Sequence, residues 1–411
     1  METKPALQLR VFNLNCWAIR YASKLREERI KMIGDFLSQE HYDLVLLQEI
    51  WSERDYFRLK ERLSSSHPFS HLFKSGVIGS GLCAFSRYAI LDTFLYCYSL
   101  NGYPYMIQHG DWFCGKSVGL LILNIRDMVC NVYVTHLHAE YSREKDRYLP
   151  HRVLQAWELG QFIRHTSKGA DVLIIAGDMN MHPGDLGMRL LREWTGLHDA
   201  FVETERFEGS QDGCTLLPNN CYSSQKELEP FPHGIRIDYI LYKGLSKFRV
   251  RCKYLTTTKG TAPGKTIPYS DHEAVMATLV VEKQGQAEGP PVKAEELNPQ
   301  LVDTVNEART EMRVGLHTAE SQRYSSGRMA VLGLLLLLLQ GGMSLLSFLG
   351  SEVGHTFPKF SFYVLAFLAF AVLLVSTIVY VFHTIEVRLL QGTEAQMRLA
   401  VQVLQEKLSC G

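Results

Sequence analysis

Short aliphatic runs that end in polar residues recur along the first 281 residues. The clearest run covers residues 172–176 and breaks off at Gly177 into Asp178-Met179-Asn180. An uncharged run of this length is typical of a buried strand, and side chains two apart on a strand share one face. Asp178 and Asn180 are therefore predicted to project together from the carboxyl end of the strand, where α/β folds bind ligands. The alternative is that Gly-Asp-x-Asn only closes the strand as a turn.

The same patterning predicts the other elements of this region. Apolar runs predict strands at residues 7–14, 43–47, 69–73, 82–85, 90–98, 118–124, 129–135, 235–242, 248–255 and 274–281. Apolar residues at near-helical spacing predict helices from about residue 23 to 37 and over 144–164. Strands 118–124 and 129–135 are predicted to form a hairpin across Arg126-Asp127. Several strands are too close together for helical crossovers, so the pattern favours an α/β fold of two packed sheets flanked by helices.

Composition changes after residue 282, where the large N-terminal domain, residues 1–282, is predicted to end. Residues 283–328 are predicted to be a Gly/Pro-containing linker followed by a polar juxtamembrane helix. Residues 329–351 and 360–382 contain no charged residue, and each is long enough to cross a bilayer core of about 30 Å. The alternative is a pair of core helices in a water-soluble domain.

The short stretch between the two apolar segments predicts a transmembrane hairpin with both flanks on one side. Arg323, Arg328 and Arg388 flank the hairpin, whereas the stretch 352–359 contributes Lys359, so both flanks are expected in the cytosol. The first ten residues lack the apolar core of a cleaved secretory signal. We therefore expect a multi-pass protein of the endoplasmic reticulum or another internal membrane, with a cytosolic C-terminal helix over 383–411. That helix would lie on the membrane or pair with the helix predicted over 297–324.

Charge and cysteine content limit which partners and metals the large domain is expected to bind. The chain has 43 Lys and Arg residues and 43 Asp and Glu residues, so its formal net charge is zero. It therefore has no overall positive charge that would attract nucleic acid. We expect no nucleic-acid partner. None of the nine cysteines is spaced Cys-x-x-Cys, which predicts reduced thiols and no structural zinc.

Six polar positions border separate predicted strands. Asn15, Glu49, His136 and Asp178 with Asn180 follow apolar runs, whereas Asp238 and Asp271-His272 precede them. Each residue alone is typical of a cap or a turn. If the strands lie side by side and alternate in direction, their polar ends meet at one edge of the sheet. Together the residues therefore predict a functional site at that edge.

The residue types at this edge suggest metal-assisted or acid-base chemistry. A carboxylate, Glu49, with amide and aspartate oxygens and no thiolate suits a hard cation such as Mg²⁺. His136 and His138 could instead be two zinc ligands, although no third nitrogen or sulfur ligand is adjacent in sequence. His272 could act as a base oriented by Asp238, the alternative being a hydrogen-bonded core histidine. Acyl chemistry fits poorly because no Gly-x-Ser-x-Gly motif is present.

Six ordered motifs resemble those of the endonuclease/exonuclease/phosphatase superfamily. They are Leu14-Asn15-Cys16-Trp17, Leu47-Gln48-Glu49-Ile50-Trp51, Thr135-His136-Leu137-His138, Gly177-Asp178-Met179-Asn180, Arg236-Ile237-Asp238-Tyr239-Ile240 and Ser270-Asp271-His272. The resemblance spans nearly all of residues 7–281. It implies a four-layered α/β sandwich and cleavage of phosphoester bonds that depends on Mg²⁺, with Mn²⁺ as a substitute.

Carried over by position, the resemblance also implies roles for these residues. Glu49 would bind Mg²⁺ with Asn15 close by, and His272 would be the general base, oriented by Asp238. Asp178 and Asn180 would hold the attacking water and a phosphoryl oxygen. His136 would stabilise developing charge, and Asp271 would support the site or the metal.

The segment 111–116 and the paired apolar segments resemble the membrane-bound neutral sphingomyelinases of this superfamily. The resemblance implies that Asp111 and Lys116 form a pair that switches the site between closed and open arrangements. The alternative is a solvent-exposed ion pair of little consequence.

The substrate is predicted from charge and membrane attachment. A nuclease needs a positive surface for repeated phosphates, and an inositol-phosphate 5-phosphatase needs basic residues to hold a highly charged ring. After Asn180 the chain instead reads Met181-His182-Pro183-Gly184-Asp185. A zwitterionic phosphodiester head group needs no such excess of positive charge, and a membrane hairpin would hold the domain where such lipids lie. We therefore predict hydrolysis of sphingomyelin to ceramide and phosphocholine. Lysophospholipids with a choline head group also fit. The alternatives are a nuclease, an inositol-phosphate 5-phosphatase and an inactive membrane-tethered scaffold. An inactive scaffold is expected to lack some of the site residues, whereas all of them are present in this sequence.

Overall fold

The computed structural model describes residues 6–245, 247–284, 299–349 and 359–410. The chain forms two compact units. One consists of Met1–Ala308 with Val403–Gly411, and the other of Arg309–Gln402.

Two β-sheets form the centre of the larger unit. In the described part of the chain the strands are β1 (Leu7–Asn15), β2 (Leu44–Gln48), β3 (Phe69–Leu72), β4 (Cys83–Ser86), β5 (Ile90–Cys97), β6 (Ser117–Ile125), β7 (Met128–His136), β8 (Val172–Asp178), β9 (His198–Asp199), β10 (Phe207–Glu208), β11 (Asp238–Gly244), β12 (Phe248–Thr257) and β13 (Val275–Lys283). One sheet has the order β10-β12-β13-β1-β2-β4-β3 and the other β5-β6-β7-β8-β11-β9. Both are mixed: β1 and β2 are parallel, as are β7 and β8, whereas β13 and β11 run antiparallel to these pairs.

The helices of the described residues are α1 (Arg26–Gln39), α2 (Glu53–Leu63), α3 (Leu149–Thr166), α4 (Leu186–Thr195), α5 (Ala200–Glu203), α6 (Gln225–Leu228), α7 (Pro299–Leu349) and α8 (Lys359–Cys410), with 3-10 turns at Asp111–Phe113 and Gln211–Gly213. Helices α1 and α2 pack on the outer face of one sheet, and α3 and α4 on that of the other.

The alternation of side chains along β1 shows how the layers are built. Leu9 and Val11 belong to the core between the two sheets, whereas Phe12 and Leu14 pack with α1 and α2 on the outer side. On the other sheet, Ile175 and its neighbours pack against α3 and α4. Strand side chains alternate between faces, so each sheet buries one face against the other sheet and one against helices. The predicted four-layered α/β sandwich is confirmed.

Most predicted elements are present, but the two helices predicted within residues 1–282 begin later than expected. The helix predicted from residue 23 begins at Arg26, because Leu25 has a left-handed backbone with φ of 48°. The helix predicted from residue 144 begins at Leu149, with Pro150 in its first turn, a position that needs no backbone donor. No helix is predicted at α2 or α4, or at the short helices α5 and α6. In α2 the buried apolar residues Tyr56, Leu59 and Leu63 have helical spacing, but charged residues separate them.

Two described helices are long and apolar enough to cross a membrane, Pro299–Leu349 and Phe360–Ser409. They contain the predicted segments, except for residues 350 and 351. Those two residues, the connecting stretch 352–358 and most of the predicted linker, 285–298, lie outside the described residues. The structure therefore supports the two apolar helices of the predicted hairpin and leaves the turn between them as an expectation.

Within the smaller unit, α7 and α8 pair with each other. Arg309 and Arg313 both donate to Glu394 Oε1, each at 3.0 Å. A Cβ added at Gly333 would lie 3.0 Å from the backbone of Leu373, so the helices approach closely there. The sequence leaves two roles open for the C-terminal helix. In the structure this helix pairs with the helix that precedes the two apolar segments.

The backbone next to Asp178 has no room for a side chain. A Cβ at Gly177 would lie 2.0 Å from the carbonyl oxygen of Thr135 on the neighbouring strand β7. We expect Gly177→Ala to push β7 and β8 apart and to lower the free energy of unfolding by about 1–3 kcal/mol, as overpacking does. Denaturant unfolding of the purified protein measures this loss.

Gly169→Ala is the matched control, because no atom lies within 4 Å of a Cβ at that position. The close approach of β7 and β8 would be refuted if the two variants unfolded at the same denaturant concentration.

Candidate active site

The two sheets bring their polar strand ends to one edge of the sandwich. The first sheet contributes Asn15 at the end of β1, Glu49 directly after β2 and His272 shortly before β13. The second contributes His136 at the end of β7, Asp178 at the end of β8 and Asp238 at the start of β11. The edge expected from strands side by side is therefore divided between two facing sheets. Within the second sheet, His136 is in register with Asp178, and Asp178 with Asp238.

Asn15 connects the two halves of the site. Its Nδ2 donates to Asp178 Oδ2 at 2.9 Å, across the sheets, and to Glu49 Oε1 at 3.2 Å. Its Oδ1 accepts from the backbone N–H of Trp17 at 3.0 Å, which fixes the orientation of the amide. Trp51 Nε1 approaches the other oxygen of Glu49 at 3.4 Å. Two carboxylates from different sheets thus face one amide nitrogen.

His272 and Asp238 form a buried pair. His272 Nδ1 lies 2.8 Å from Asp238 Oδ2, and its Nε2 lies 3.9 Å from Asp178 Oδ2. Burial favours the neutral imidazole, but the charge of Asp238 and its hydrogen bond outweigh burial and raise the pKa of His272 above its usual value. The carboxylate therefore orients the ring, as the sequence predicts, and leaves Nε2 facing the centre of the site.

Asp178 stays ionised in this buried position. Burial alone would raise its pKa, but His136, whose Nε2 lies 3.3 Å from Asp178 Oδ2, and His272 together lower it well below the usual range. Asp178 Oδ1 accepts from the backbone N–H of Asn180 at 2.9 Å. Asn180, in a left-handed conformation with φ of 48°, donates through Nδ2 to the carbonyl of Leu137 at 2.9 Å.

A chain of buried charges continues from His136. Lys116 Nζ lies 2.9 Å from His136 Nε2, 2.7 Å from the carbonyl of Leu137 and 2.8 Å from Asp111 Oδ1. Tyr141 donates to the other oxygen of Asp111. Asp111 and Lys116 are 5% and 3% exposed, so the alternative of a solvent-exposed ion pair is wrong. Burial lowers the pKa of Lys116, but the charge of Asp111 outweighs it and the net shift is upward.

Asp271 lies at the border of this network. Its Oδ1 accepts from Ser270 Oγ at 3.0 Å. Burial raises the pKa of Asp271 to about 6, the charge of His272 opposes the increase, and the charge of Glu49 adds to it. Asp271 directly precedes His272 in the chain, and this position beside the site is in keeping with a supporting role.

The residues of this edge fit a hard divalent cation. Ligand atoms of Asp178, Asp238 and His272 lie within 4.8 Å of one another. Within the described residues, Asp238 Oδ1 is buried and has no hydrogen-bond partner. Carboxylate oxygens in such a position are suited to Mg²⁺. This group differs from the predicted ligands, since Glu49 is linked to it through Asn15.

The zinc alternative does not fit the geometry. Strand β7 ends at His136, so His136 and His138 do not continue on one strand face. His138 Nδ1 lies 2.8 Å from the carbonyl of Ala139, and its ring stacks on Tyr148 at 4.1 Å. Among the residues that the structure describes, the group of three potential metal ligands contains neither of these histidines.

Thr215 is a supporting residue that the sequence does not identify. Its Oγ1 accepts from the backbone N–H groups of Ile237 and Asp238 at 3.2 and 3.3 Å, and its carbonyl accepts from Glu273 N at 2.7 Å. It thereby joins the strands that position Asp238 and His272. It lies in a loop without periodic pattern or motif, so no sequence signal identifies it.

Comparison with known proteins agrees with this geometry. The endonuclease/exonuclease/phosphatase family matches residues 12–272. Sphingomyelin phosphodiesterase 2 of Mus musculus is 53% identical over 398 residues, which cover 97% of this chain and 93% of that protein.

Solved structures show the same fold at low sequence identity. Sphingomyelinase C from Streptomyces griseocarneus has a TM-score of 0.52 at 18% identity and covers 67% of this chain and 99% of its own. A mutant of beta toxin from Staphylococcus aureus with bound magnesium ions has a TM-score of 0.51 at 17% identity, covering 66% of this chain and 99% of its own. With the family match and the close relative together, the chain belongs to the endonuclease/exonuclease/phosphatase family and, within it, to the sphingomyelin phosphodiesterase 2 group.

Proposed function

We propose that this protein is a magnesium-dependent phosphodiesterase that hydrolyses sphingomyelin to ceramide and phosphocholine. The observation that carries the proposal is the oriented His272–Asp238 pair facing Asp178, at an edge where Asn15 and Glu49 of one sheet meet Asp178 of the other. The 53% identity to a sphingomyelin phosphodiesterase supports the substrate. Activity on choline lysophospholipids belongs to the same proposal, because the head group is the same.

His272 acts as the general base in this proposal. Its Nδ1 is engaged by Asp238, so Nε2 is the nitrogen that takes a proton from water. The oxygen of that water bonds to phosphorus, and the bond from phosphorus to the ceramide oxygen breaks. The ceramide oxygen takes a proton from solvent water, and Nε2 returns its proton to solvent before the next turnover. Asp178 and Asn180 hold the water and a phosphoryl oxygen beside Nε2.

The charged groups around His136 stabilise the reacting phosphate. Lys116 and His136 lie in contact, both are buried, and a positive charge in a buried site interacts strongly with developing negative charge. Asp111 holds Lys116 in this position. If that ion pair opened, the positive charge of Lys116 would move and the electrostatic field at the phosphate would change. Such a movement would switch the site between two arrangements.

Glu49, with Asn15 beside it, and Asp178 would hold Mg²⁺ at this edge. When bound, the ion neutralises negative charge on the phosphodiester, and Mn²⁺ has the same preference for oxygen ligands. The magnesium ions of the beta toxin structure support this assignment. Asp271 supports Glu49 and His272 electrostatically.

Activity measurements with a panel of substrates test the function. Mixed micelles would contain head-group-labelled sphingomyelin, phosphatidylcholine or a phosphoinositide, with labelled DNA added separately, and each assay would contain Mg²⁺ or a chelator. We expect label release from sphingomyelin with Mg²⁺ and none with chelator. His272→Ala and Glu49→Ala should lower turnover by about 10²–10⁴-fold, since each removes a group that acts on the reacting atoms.

His198→Ala and Glu53→Ala are the matched controls, because both side chains form exposed surface pairs, with Glu203 and Lys74. Faster turnover of DNA or the phosphoinositide than of sphingomyelin would favour a nuclease or a 5-phosphatase instead. An intact rate in His272→Ala would refute its role as the base.

The pH dependence of the rate tests the His272–Asp238 pair. Asp238 raises the pKa of His272, so the imidazole of the wild type becomes protonated, and inactive as a base, at a higher pH than it would alone. Asp238→Asn removes that charge and lowers the pKa. We therefore expect the acid limb of the profile to move to lower pH, with a lower plateau because the ring loses its orienting carboxylate. An acid limb that does not move would show that Asp238 has no electrostatic effect on the base.

Membrane attachment is the remaining part of the proposal. The two apolar helices support a hairpin, and the basic residues beside it support a cytosolic position for the catalytic domain at an internal membrane such as the endoplasmic reticulum. In sealed microsomes, tags at both chain ends should be digested by added protease, whereas a tag inserted at residue 354 should be protected. Protection of either end would contradict this topology.

A further inference from the structure

An exposed apolar surface borders the catalytic residues, and the mechanism above does not use it. Large apolar side chains that are exposed close together usually mark a binding surface. Val77 is 78% exposed and Ile78 48%, and both lie in the short segment 76–79 between β3 and β4. Trp112, 41% exposed, lies in the 3-10 turn Asp111–Phe113. Val77, Ile78 and Trp112 together form the apolar patch.

Backbone hydrogen bonds join the two segments that carry the apolar patch. Ile78 N donates to the carbonyl of Phe113 at 3.3 Å, and Gly115 N donates to the carbonyl of Gly79 at 2.8 Å. A Cβ at Gly76 would lie 2.3 Å from Gly115 N, so the backbones are in close contact. The three apolar side chains therefore belong to adjoining segments whose relative position is fixed.

The same segments border the catalytic site on two sides. Trp112 directly follows Asp111, whose carboxylate is the ion-pair partner of Lys116. On the other side, a Cβ at Gly81 would lie 3.2 Å from the Cα of Glu49, so the chain after the apolar patch packs against that residue. The apolar patch thus lies on the segments that connect the surroundings of Glu49 with those of Lys116.

The chain around the apolar patch is largely uncharged. Residues 75–86 and 93–110 contain no Asp, Glu, Lys or Arg. The second of these stretches also exposes Tyr105 and Ile107, just before the turn that carries Trp112. Apolar and aromatic side chains on uncharged segments suit the interface of a bilayer, where aromatic rings concentrate. A neutral surface of this kind needs no anionic lipid, in keeping with a zwitterionic substrate.

We propose that the apolar patch enters the surface of the bilayer that contains the lipid substrate and thereby brings the catalytic edge to the phosphate. This inference rests on the proposed function, because it takes the substrate to be a membrane lipid. The phosphate of such a lipid stays in the polar head-group layer, so the residues that act on it must approach that layer. A protein partner on the apolar patch would instead separate the catalytic edge from the membrane.

Quenching of tryptophan fluorescence by brominated lipids tests the contact with the bilayer. The full-length protein would be reconstituted into phosphatidylcholine vesicles containing sphingomyelin, with or without bromine on the upper part of the acyl chains. All five tryptophans precede residue 195, so quenching reports on the larger unit and not on the apolar segments 329–351 and 360–382. We expect bromine to quench the wild type, and Trp112→Phe to lose most of that quenching.

Trp194→Phe is the matched control for Trp112→Phe. Trp194 is also partly exposed, but it lies on α4, where its Nε1 donates to Gln161 Oε1 at 2.9 Å. This variant should keep the quenching of the wild type. Unchanged quenching in Trp112→Phe would contradict the contact. A wild type that bromine does not quench would also contradict it, and would leave the apolar patch to a protein partner.

Turnover of two substrates by Val77→Asp tests the consequence for catalysis. A carboxylate at this position opposes insertion, and the loss of one buried aliphatic side chain changes association by about tenfold. We therefore expect turnover of sphingomyelin in the vesicles to fall about tenfold. Turnover of p-nitrophenyl phosphocholine should be unchanged, because this water-soluble phosphodiester has the same head group and no acyl chain.

Val202→Asp is the matched control for Val77→Asp, since Val202 is also exposed but lies on α5, next to the edge strand β9. It should leave both rates unchanged. Thermal unfolding of each variant shows whether it is folded. An equal fall of both rates in Val77→Asp would indicate a distorted site and overturn the link between the apolar patch and catalysis.

Two results separate this inference from the proposed function. If the wild type hydrolyses sphingomyelin and Trp112→Phe keeps the full quenching, the bilayer contact is refuted and the function stands. If Trp112 is quenched as expected but neither substrate is hydrolysed, the bilayer contact is supported and the proposed reaction fails.

Discussion

The side-chain amide of Asn15 is the contact on which the site depends. It donates to Glu49 in its own sheet and to Asp178 in the facing sheet, while its oxygen is bonded to the backbone of Trp17. Rotation of the amide by half a turn would break its hydrogen bonds to both carboxylates and to the backbone of Trp17. It therefore sets the separation of two carboxylates that belong to different layers of the sandwich, and the position of the other polar groups follows from the packing of those layers.

The charged groups at this edge of the sandwich are buried, which costs free energy unless each has a partner. Asp178, Asp238 and Lys116 are each at most 3% exposed, and burial of an ionised group is unfavourable unless a partner compensates it. Each one has such a partner: a histidine for either aspartate, and Asp111 for Lys116. These partners fix the groups in place, which preorganises the field that a reacting phosphate would experience.

Under the proposed function, the phosphate of the head group lies beside Lys116, His136 and the oriented His272. Thr215 supports this arrangement, because its hydroxyl accepts from the backbone N–H of Asp238 and its carbonyl accepts from Glu273 N. Recognition of one phosphate by a local group of buried charges also fits a chain with zero formal net charge, since no overall basic surface is needed.

The sequence by itself determined most of the strands and pointed to the polar residues that the structure brings to one edge. Aliphatic runs bounded by polar residues mark strands because burial of a strand face leaves a local pattern. For helices the prediction is less complete: the left-handed backbone of Leu25 delays the start of α1, and no helix is predicted at α2 or α4. A two-residue spacing also suggested paired zinc ligands, which the end of β7 at His136 prevents.

Only the tertiary structure decided how those residues meet. It divided them between two sheets, linked Asn15 to Asp178 across 163 positions of the chain, buried the Asp111–Lys116 pair and made Thr215 a shared support. Local periodicity specifies which face of an element is buried, but not which distant element covers it. That choice depends on the packing of whole sheets and helices, and the geometry of the site follows from it.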